Sequence, residues 1–219
     1  MGRKKIERFE QNEQNPLVVQ PGKPLFEEIK GNWNKKQFQK EGPLIVELAC
    51  GRGEFTVGLA RIYPRKNFIG VDIKGSRIWK GSSIALDEGL INVAFLRTQI
   101  QLLEASFGEK EIDELWITFP DPRPKDRDER RRLTSPRFLN IFKNLMVKRG
   151  LIHIKTDNTG LYAYTMDLLL SRKDVKIWKH TENFYSSEWK DDHYGIKTKY
   201  ETLFMEKGET IKYIQFSFI

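Results

Sequence analysis

The chain has 219 residues, 39% hydrophobic and 12% aromatic, which excludes wholesale disorder and leaves room for one large α/β core but hardly for two independent domains. Its 38 Lys and Arg against 30 Asp and Glu leave a net charge of +8, an excess that favours a polyanionic partner where it clusters. A single cysteine, Cys50, excludes a disulfide framework within the chain and fits a reducing cytoplasm.

In chain order, Met1-Gly2-Arg3-Lys4-Lys5 is basic, but no apolar stretch follows it. Neither a signal peptide nor a membrane span is expected. Residues 1–22 are polar and end in Gln20-Pro21-Gly22, which reads as a mobile arm ahead of a single domain at 23–219. A mixed helical segment from Pro24 to Lys40 leads to a strand at Leu44 to Leu48. Strand-like and helix-like segments then alternate. Strands are expected at Asn67 to Asp72, Asn92 to Leu96, Asp113 to Phe119 and Leu151 to Lys155, with helices at Ser76 to Glu88, Ser135 to Val147 and Asn158 to Ser171. That alternation predicts βαβ units and a doubly wound, mostly parallel sheet. A short run around Ile177 and a last strand from Ile211 to Phe216 follow, the latter as an antiparallel addition.

The turn Glu47-Leu48-Ala49-Cys50-Gly51-Arg52-Gly53 joins a strand to a helix, and the next strand ends in Asp72. In an open α/β sheet the carboxyl ends of the strands form the ligand crevice, where Gly51 and Gly53 let the backbone approach a nucleotide and Asp72 can accept ribose hydroxyls. A dinucleotide fingerprint would require glycine where Thr56 stands. Glu47 would repel a pyrophosphate and suits the sulfonium and ammonium of S-adenosylmethionine, so the methyl donor is favoured over NAD. Cys50 reads as a packing residue rather than a nucleophile.

Phe119-Pro120-Asp121-Pro122-Arg123-Pro124 places a carboxylate at the crevice mouth on a loop stiffened by three prolines. Lys125, Arg127, Arg130, Arg131 and Arg132 follow at once, as a phosphate-backbone surface or, with Asp126, Asp128 and Glu129, as a self-paired solvated one. Asp157, after the fifth strand, is a second candidate carboxylate. Thr198-Lys199-Tyr200-Glu201 supplies hydroxyl, ammonium and carboxylate, or alternatively an N-cap. Phe184, Tyr185, Trp189 and Tyr194 could stack on bases or pack in the core. His153, His180 and His193 lack metal-ligand spacing, and no metal is expected.

In order along the chain, Glu47 to Phe55, Phe68-Ile69-Gly70-Val71-Asp72, Phe-Pro-Asp-Pro at 119–122, Arg131-Arg132-Leu133-Thr134, Lys155-Thr156-Asp157-Asn158 and Thr198-Lys199-Tyr200-Glu201 resemble the bacterial tRNA (guanine-N7)-methyltransferase family. The resemblance implies a Rossmann-like class I methyltransferase sheet of seven strands, helices on both faces and the last strand antiparallel. It also implies methyl transfer from S-adenosylmethionine to N7 of guanine 46 in the variable loop of tRNA. Carried over residue by residue, Glu47, Gly51, Gly53, Asp72, Gln99 and Asp121 meet the cofactor, and Asp121 is the catalytic residue. Lys125, Asp157, Thr198, Lys199, Tyr200 and Glu201 hold the substrate, and Arg127, Arg130, Arg131 and Arg132 lie on RNA. The partner is tRNA, with no obligate protein partner; a monomer and a homodimer are equally compatible. Three positions depart from the family's usual residues: Ala49 for glycine, Arg123 for tryptophan, and Gln99 for an acid. They keep open a silent tRNA-binding protein of the same fold, and a methyltransferase for a non-RNA substrate is the other alternative.

Overall fold

The computed structural model describes residues 3–219, with the side chain of Arg3 left out. Among the described residues, eight strands form one sheet: β1 (Val18–Val19), β2 (Leu44–Leu48), β3 (Asn67–Asp72), β4 (Val93–Arg97), β5 (Ile112–Thr118), β6 (Met146–Thr156), β7 (Val175–Thr181) and β8 (Lys212–Phe218). Their order is β1-β4-β3-β2-β5-β6-β8-β7. The first six are parallel, whereas β8 runs antiparallel between β6 and β7, as expected for the last strand. The sheet has one strand more than the seven expected, because Val18 and Val19 pair with Phe95 and Leu96 at the β4 edge. Two residues are too short for an alternating pattern to show in the sequence.

The helices are α1 (Arg3–Gln14), α2 (Pro24–Glu28), α3 (Glu54–Ile62), α4 (Gly75–Asp87), α5 (Pro136–Leu145), α6 (Thr159–Ser171) and α7 (Lys199–Glu206), with a π-helical segment at Trp33–Phe38. None is long and apolar enough to cross a membrane. Every residue of β2 and β3 is buried, as parallel strands covered on both faces require. Period-two alternation divides their side chains. Val46, Leu48, Ile69 and Val71 pack with Phe138, Leu139 and Phe142 of α5 and Tyr162 of α6, while Ile45 and Phe68 pack with Phe55 and Val57 of α3 and Ile78 of α4. Glu47 shares the second face, pointing toward α3.

Residues 1 and 2 of the expected arm lie outside the described residues. From Arg3 onward the structure differs from a mobile arm: α1 docks on α4, and Asn12 is buried, donating to the Gly75 carbonyl at 2.8 Å. Glycine at 75 makes room for the docked helix, since a Cβ there would come within 2.8 Å of the Phe9 ring. The polar composition of α1 hid this contact, because the docking uses an amide and a ring rather than an apolar stripe.

Candidate active site at the switch point of the sheet

Strand order reverses between β2 and β5, so the loops leaving their carboxyl ends diverge and open a crevice. After β2 the chain turns through left-handed backbone at Ala49 (φ +56°), Gly51 (φ +58°) and Gly53 (φ +71°) before α3 begins. The last two differ in purpose. A Cβ on Gly51 would meet only the Ala49 carbonyl, at 3.9 Å, whereas one on Gly53 would strike the Phe95 ring at 2.5 Å. Gly53 is a packing glycine that does not line the cavity; Gly51 does. Ala49 carries the strain that glycine avoids, roughly 1–2 kcal/mol for an L-residue. Ala49→Gly is therefore expected to raise stability by about 1 kcal/mol, a rise in melting temperature of roughly 2–4 °C, measurable by calorimetry.

Glu47, at the end of β2, is only 3% exposed. It accepts hydrogen bonds from Thr56 N (3.0 Å), Thr56 Oγ1 (2.5 Å) and Thr118 Oγ1 (2.7 Å). Burial outweighs these bonds and pushes its carboxyl up to about 7. Asp72, at the end of β3, accepts the Gly51 amide at 3.0 Å and the Lys74 amide at 2.8 Å, which ties the two strand ends together. Cys50 is buried, and burial pushes its thiol well above the ordinary range. That is the packing role expected of it.

Two adjoining cavities share Ala49 and Asp72. The larger, about 1130 Å³, brings together Glu47, Gly51, Asp72, Asp121, Asp157, Thr198, Lys199 and Tyr200. The smaller, about 340 Å³, is lined by Ile73, Thr98, Gln99, Arg123, Arg130 and Arg131. Gln99 thus sits beside the larger cavity rather than in it, its side-chain oxygen accepting from Gln101 at 2.6 Å. Lys125, Arg127 and Arg132 line neither cavity.

The loop carrying Asp121 is bracketed by two non-glycine residues in left-handed backbone, Phe119 (φ +51°) and Arg123 (φ +46°). Strain at such positions persists only where the surroundings enforce it. Here they do. Phe119 is tied by its amide to the Lys155 carbonyl at 2.8 Å, and the Arg123 carbonyl accepts Arg132 Nε at 3.1 Å. The Arg132 guanidinium in turn stacks 4.4 Å from the Tyr164 ring. Exposed Asp121 is held from its own loop: Arg123 Nε lies 3.0 Å from Oδ2 and Arg123 N donates to Oδ1 at 3.3 Å. Arg123 therefore touches Asp121 on one side and the smaller cavity on the other.

Burial pushes the half-buried Asp157 carboxyl up from the usual carboxylate range. Asn158 after it caps α6, accepting the Leu161 amide at 2.8 Å. The Thr-Lys-Tyr-Glu run behaves as the N-cap alternative foresaw: the Thr198 hydroxyl accepts the Glu201 amide at 3.2 Å and starts α7. Glu201 is not at the cavity. It is wholly buried against Lys155 of β6, itself 1% exposed, and accepts the Tyr185 hydroxyl at 2.7 Å. The Lys155 ammonium also lies 5.0 Å from the Phe184 ring and 5.9 Å from the Phe119 ring. Sequence spacing could not separate this anchor from the neighbouring substrate candidates. Phe184, Tyr185, Trp189 and Tyr194 line neither cavity, in keeping with packing. His153 stacks on Trp116 at 4.0 Å, and burial drives its ring down to about 3, so it is neutral.

Sequence reasoning missed a wall of the larger cavity contributed by Arg8 of α1 and by Lys74, Ser76, Arg77, Trp79 and Lys80 at α4. The available signal was the recurrence of a basic residue every third position directly after Asp72.

The family model described as "Putative methyltransferase" matches residues 41–214. The chain is 42% identical to the tRNA (guanine-N(7)-)-methyltransferase of Cytophaga hutchinsonii over 100% of this chain and 99% of that protein. It is 44% identical to the enzyme of the same name from Christiangramia forsetii, over 99% of each. Among solved structures, the 30S ribosomal A1408 methyltransferase from an uncultured bacterium superposes with a TM-score of 0.59 at 14% identity, covering 83% of this chain and 90% of that one, a likeness of fold. With relatives this similar over its whole length, the chain belongs to the tRNA (guanine-N7)-methyltransferase family.

Proposed function

We propose that the protein transfers a methyl group from S-adenosylmethionine to N7 of guanine 46 in the variable loop of tRNA, acting in the cytoplasm. The observation that carries this reading is the convergence of Glu47, Asp121 and Asp157 on one cavity beside an arginine-rich loop. The residues fit the cofactor. Asp72 stands where the two cavities meet, as a ribose ligand must if the nucleoside is to reach Gln99 and the amino-acid end Glu47. Gly51 leaves its backbone open to a ligand, and Ala49 reaches left-handed backbone without being glycine. A turn that holds this conformation at Ala49 favours an active enzyme over a silent binding protein.

When bound, S-adenosylmethionine supplies an electrophilic methyl group on a sulfonium. Guanine N7 carries a lone pair and no proton, so no general base is needed, and the protein contributes orientation and electrostatics. Asp121 and Asp157 accept hydrogen bonds from guanine N1–H and the exocyclic amino group, turning N7 into the cavity and favouring positive charge on the ring. Thr198, Lys199 and Tyr200 flank the base, and Lys125, outside the cavity, joins Arg127, Arg130, Arg131 and Arg132 in holding phosphates.

Glu47 makes cofactor affinity pH-dependent. Its carboxyl titrates near 7, and a bound cation favours the anion. Binding therefore releases a proton below about pH 7 and weakens toward tenfold per unit as the pH falls further, with no contribution from Glu47 above. Calorimetry at pH 6 to 8 measures this, and Glu47→Gln is expected to abolish it. For the acceptor, a transcript with adenine at position 46 is expected to take no methyl group. Undiminished labelling of that transcript overturns the assignment of position.

A further inference from the structure

One wall of the larger cavity belongs neither to the cofactor turn nor to the arginine loop. It is made by Lys74, Arg77 and Lys80, spaced three apart at the start of α4, and by Arg8 of α1. That spacing keeps the three on one side of the helix. Arg8 is fixed in place, its guanidinium 4.6 Å from the Trp79 ring. The helix carrying it is seated by Asn12 on the Gly75 carbonyl, by Trp79 Nε1 on Gln11, and by the Arg97 guanidinium 5.0 Å from Phe9. Among the described residues none of the four cations is in an ion pair, and no acidic residue of α1 or α4 lines the cavity. The cavity's carboxylates, Glu47, Glu54, Asp72, Asp121 and Asp157, come from other elements, so the four cations form a patch of one sign beyond what the single carboxylate of a methyl donor needs. They match a chain of phosphates, one charge per nucleotide. The cavity, at about 1130 Å³, is also larger than the roughly 300–1,000 Å³ of ordinary small-molecule sites.

We infer that the α1–α4 wall is a second phosphate-binding surface for tRNA, so that the RNA is held at the cavity both by the loop at 127–132 and by Arg8, Lys74, Arg77 and Lys80. This rests on tRNA being the substrate. In this arrangement α1 is part of the substrate site, and the stacked Arg8–Trp79 pair presents a guanidinium already ordered for a phosphate.

The test is tRNA binding by the full chain from 50 to 300 mM salt for wild type, Arg8→Ala and the triple variant Lys74→Gln/Arg77→Gln/Lys80→Gln, with S-adenosylmethionine binding measured alongside. Each lost phosphate contact is expected to lower the slope of log K against log salt by about 1, so by about 3 in the triple variant, with affinity at 100 mM salt falling at least tenfold. Cofactor affinity and melting temperature are expected to stay within twofold and 2 °C. Unchanged tRNA affinity and slope in variants of a methylating wild type overturn the inference alone. So does a loss confined to cofactor binding, which would assign the wall to the donor's carboxylate. A wild type that neither binds nor methylates tRNA sinks this inference together with the proposed function.

Discussion

Asp121→Ala is expected to lower the methylation rate at saturating substrates by at least about 10²–10³-fold, the usual cost of removing one group aimed at developing charge. Binding of tRNA should change little. Asp121 is presented at the cavity by a loop whose two ends are held in left-handed backbone at Phe119 and Arg123, so its position is enforced by the surroundings. Its carboxylate is in contact with the Arg123 guanidinium, and nothing in the core depends on it. Removing it frees a cation beside the RNA surface, so tRNA affinity is expected to hold or to rise slightly. A kinetic split decides the matter. A fall in kcat with KM for tRNA unchanged supports the role, a raised KM with kcat intact makes Asp121 a binding residue only, and full activity removes it from the mechanism.

Lys155→Met is expected to destabilise the protein by about 3–5 kcal/mol, because it strands the Glu201 carboxylate in a place without water. For a chain of this size that lowers the melting temperature by roughly 10 °C. The double variant Lys155→Met/Glu201→Leu is expected to recover most of the loss, since an apolar pair of similar volume is often neutral at a buried ion-pair site. Activity is expected to behave differently. The Lys155 ammonium lies 5.9 Å from the ring of Phe119, where the Asp121 loop begins, and pairs with Glu201 of α7, whose first turn lines the cavity. Replacing the pair thus loosens two walls at once, and the double variant is expected to stay well below wild-type turnover even when stability returns. Recovery of both together would mean that the pair serves stability alone.

Legibility in the sequence followed the type of constraint. Continuous apolar runs such as Leu44 to Leu48 and Asn67 to Asp72 made the central strands readable, because parallel strands covered on both faces tolerate few polar residues. The carboxylates at their ends, Glu47, Asp72 and Asp121, were readable because a strand end in an open sheet points to the crevice. Three features were not. Gly53 follows the same strand as Gly51, yet one glycine serves Phe95 and the other the cavity, a distinction made only by tertiary packing. Glu201 adjoins three residues that line the cavity, but the first turn of α7 directs it inward to Lys155. Polar α1 docks through Asn12, Gln11 and Phe9, contacts that no hydrophobic period announces. Arg8 enters the site for the same reason.

The central claim is methyl transfer to one atom of one base. Wild-type protein incubated with isotopically labelled S-adenosylmethionine and an unmodified tRNA transcript, followed by borohydride reduction and aniline cleavage to map N7-methylguanine, tests it most directly. The expected result is one methyl group per tRNA and a single cleavage at position 46. Label without cleavage there, label on another base, or no transfer to any tRNA would contradict the account.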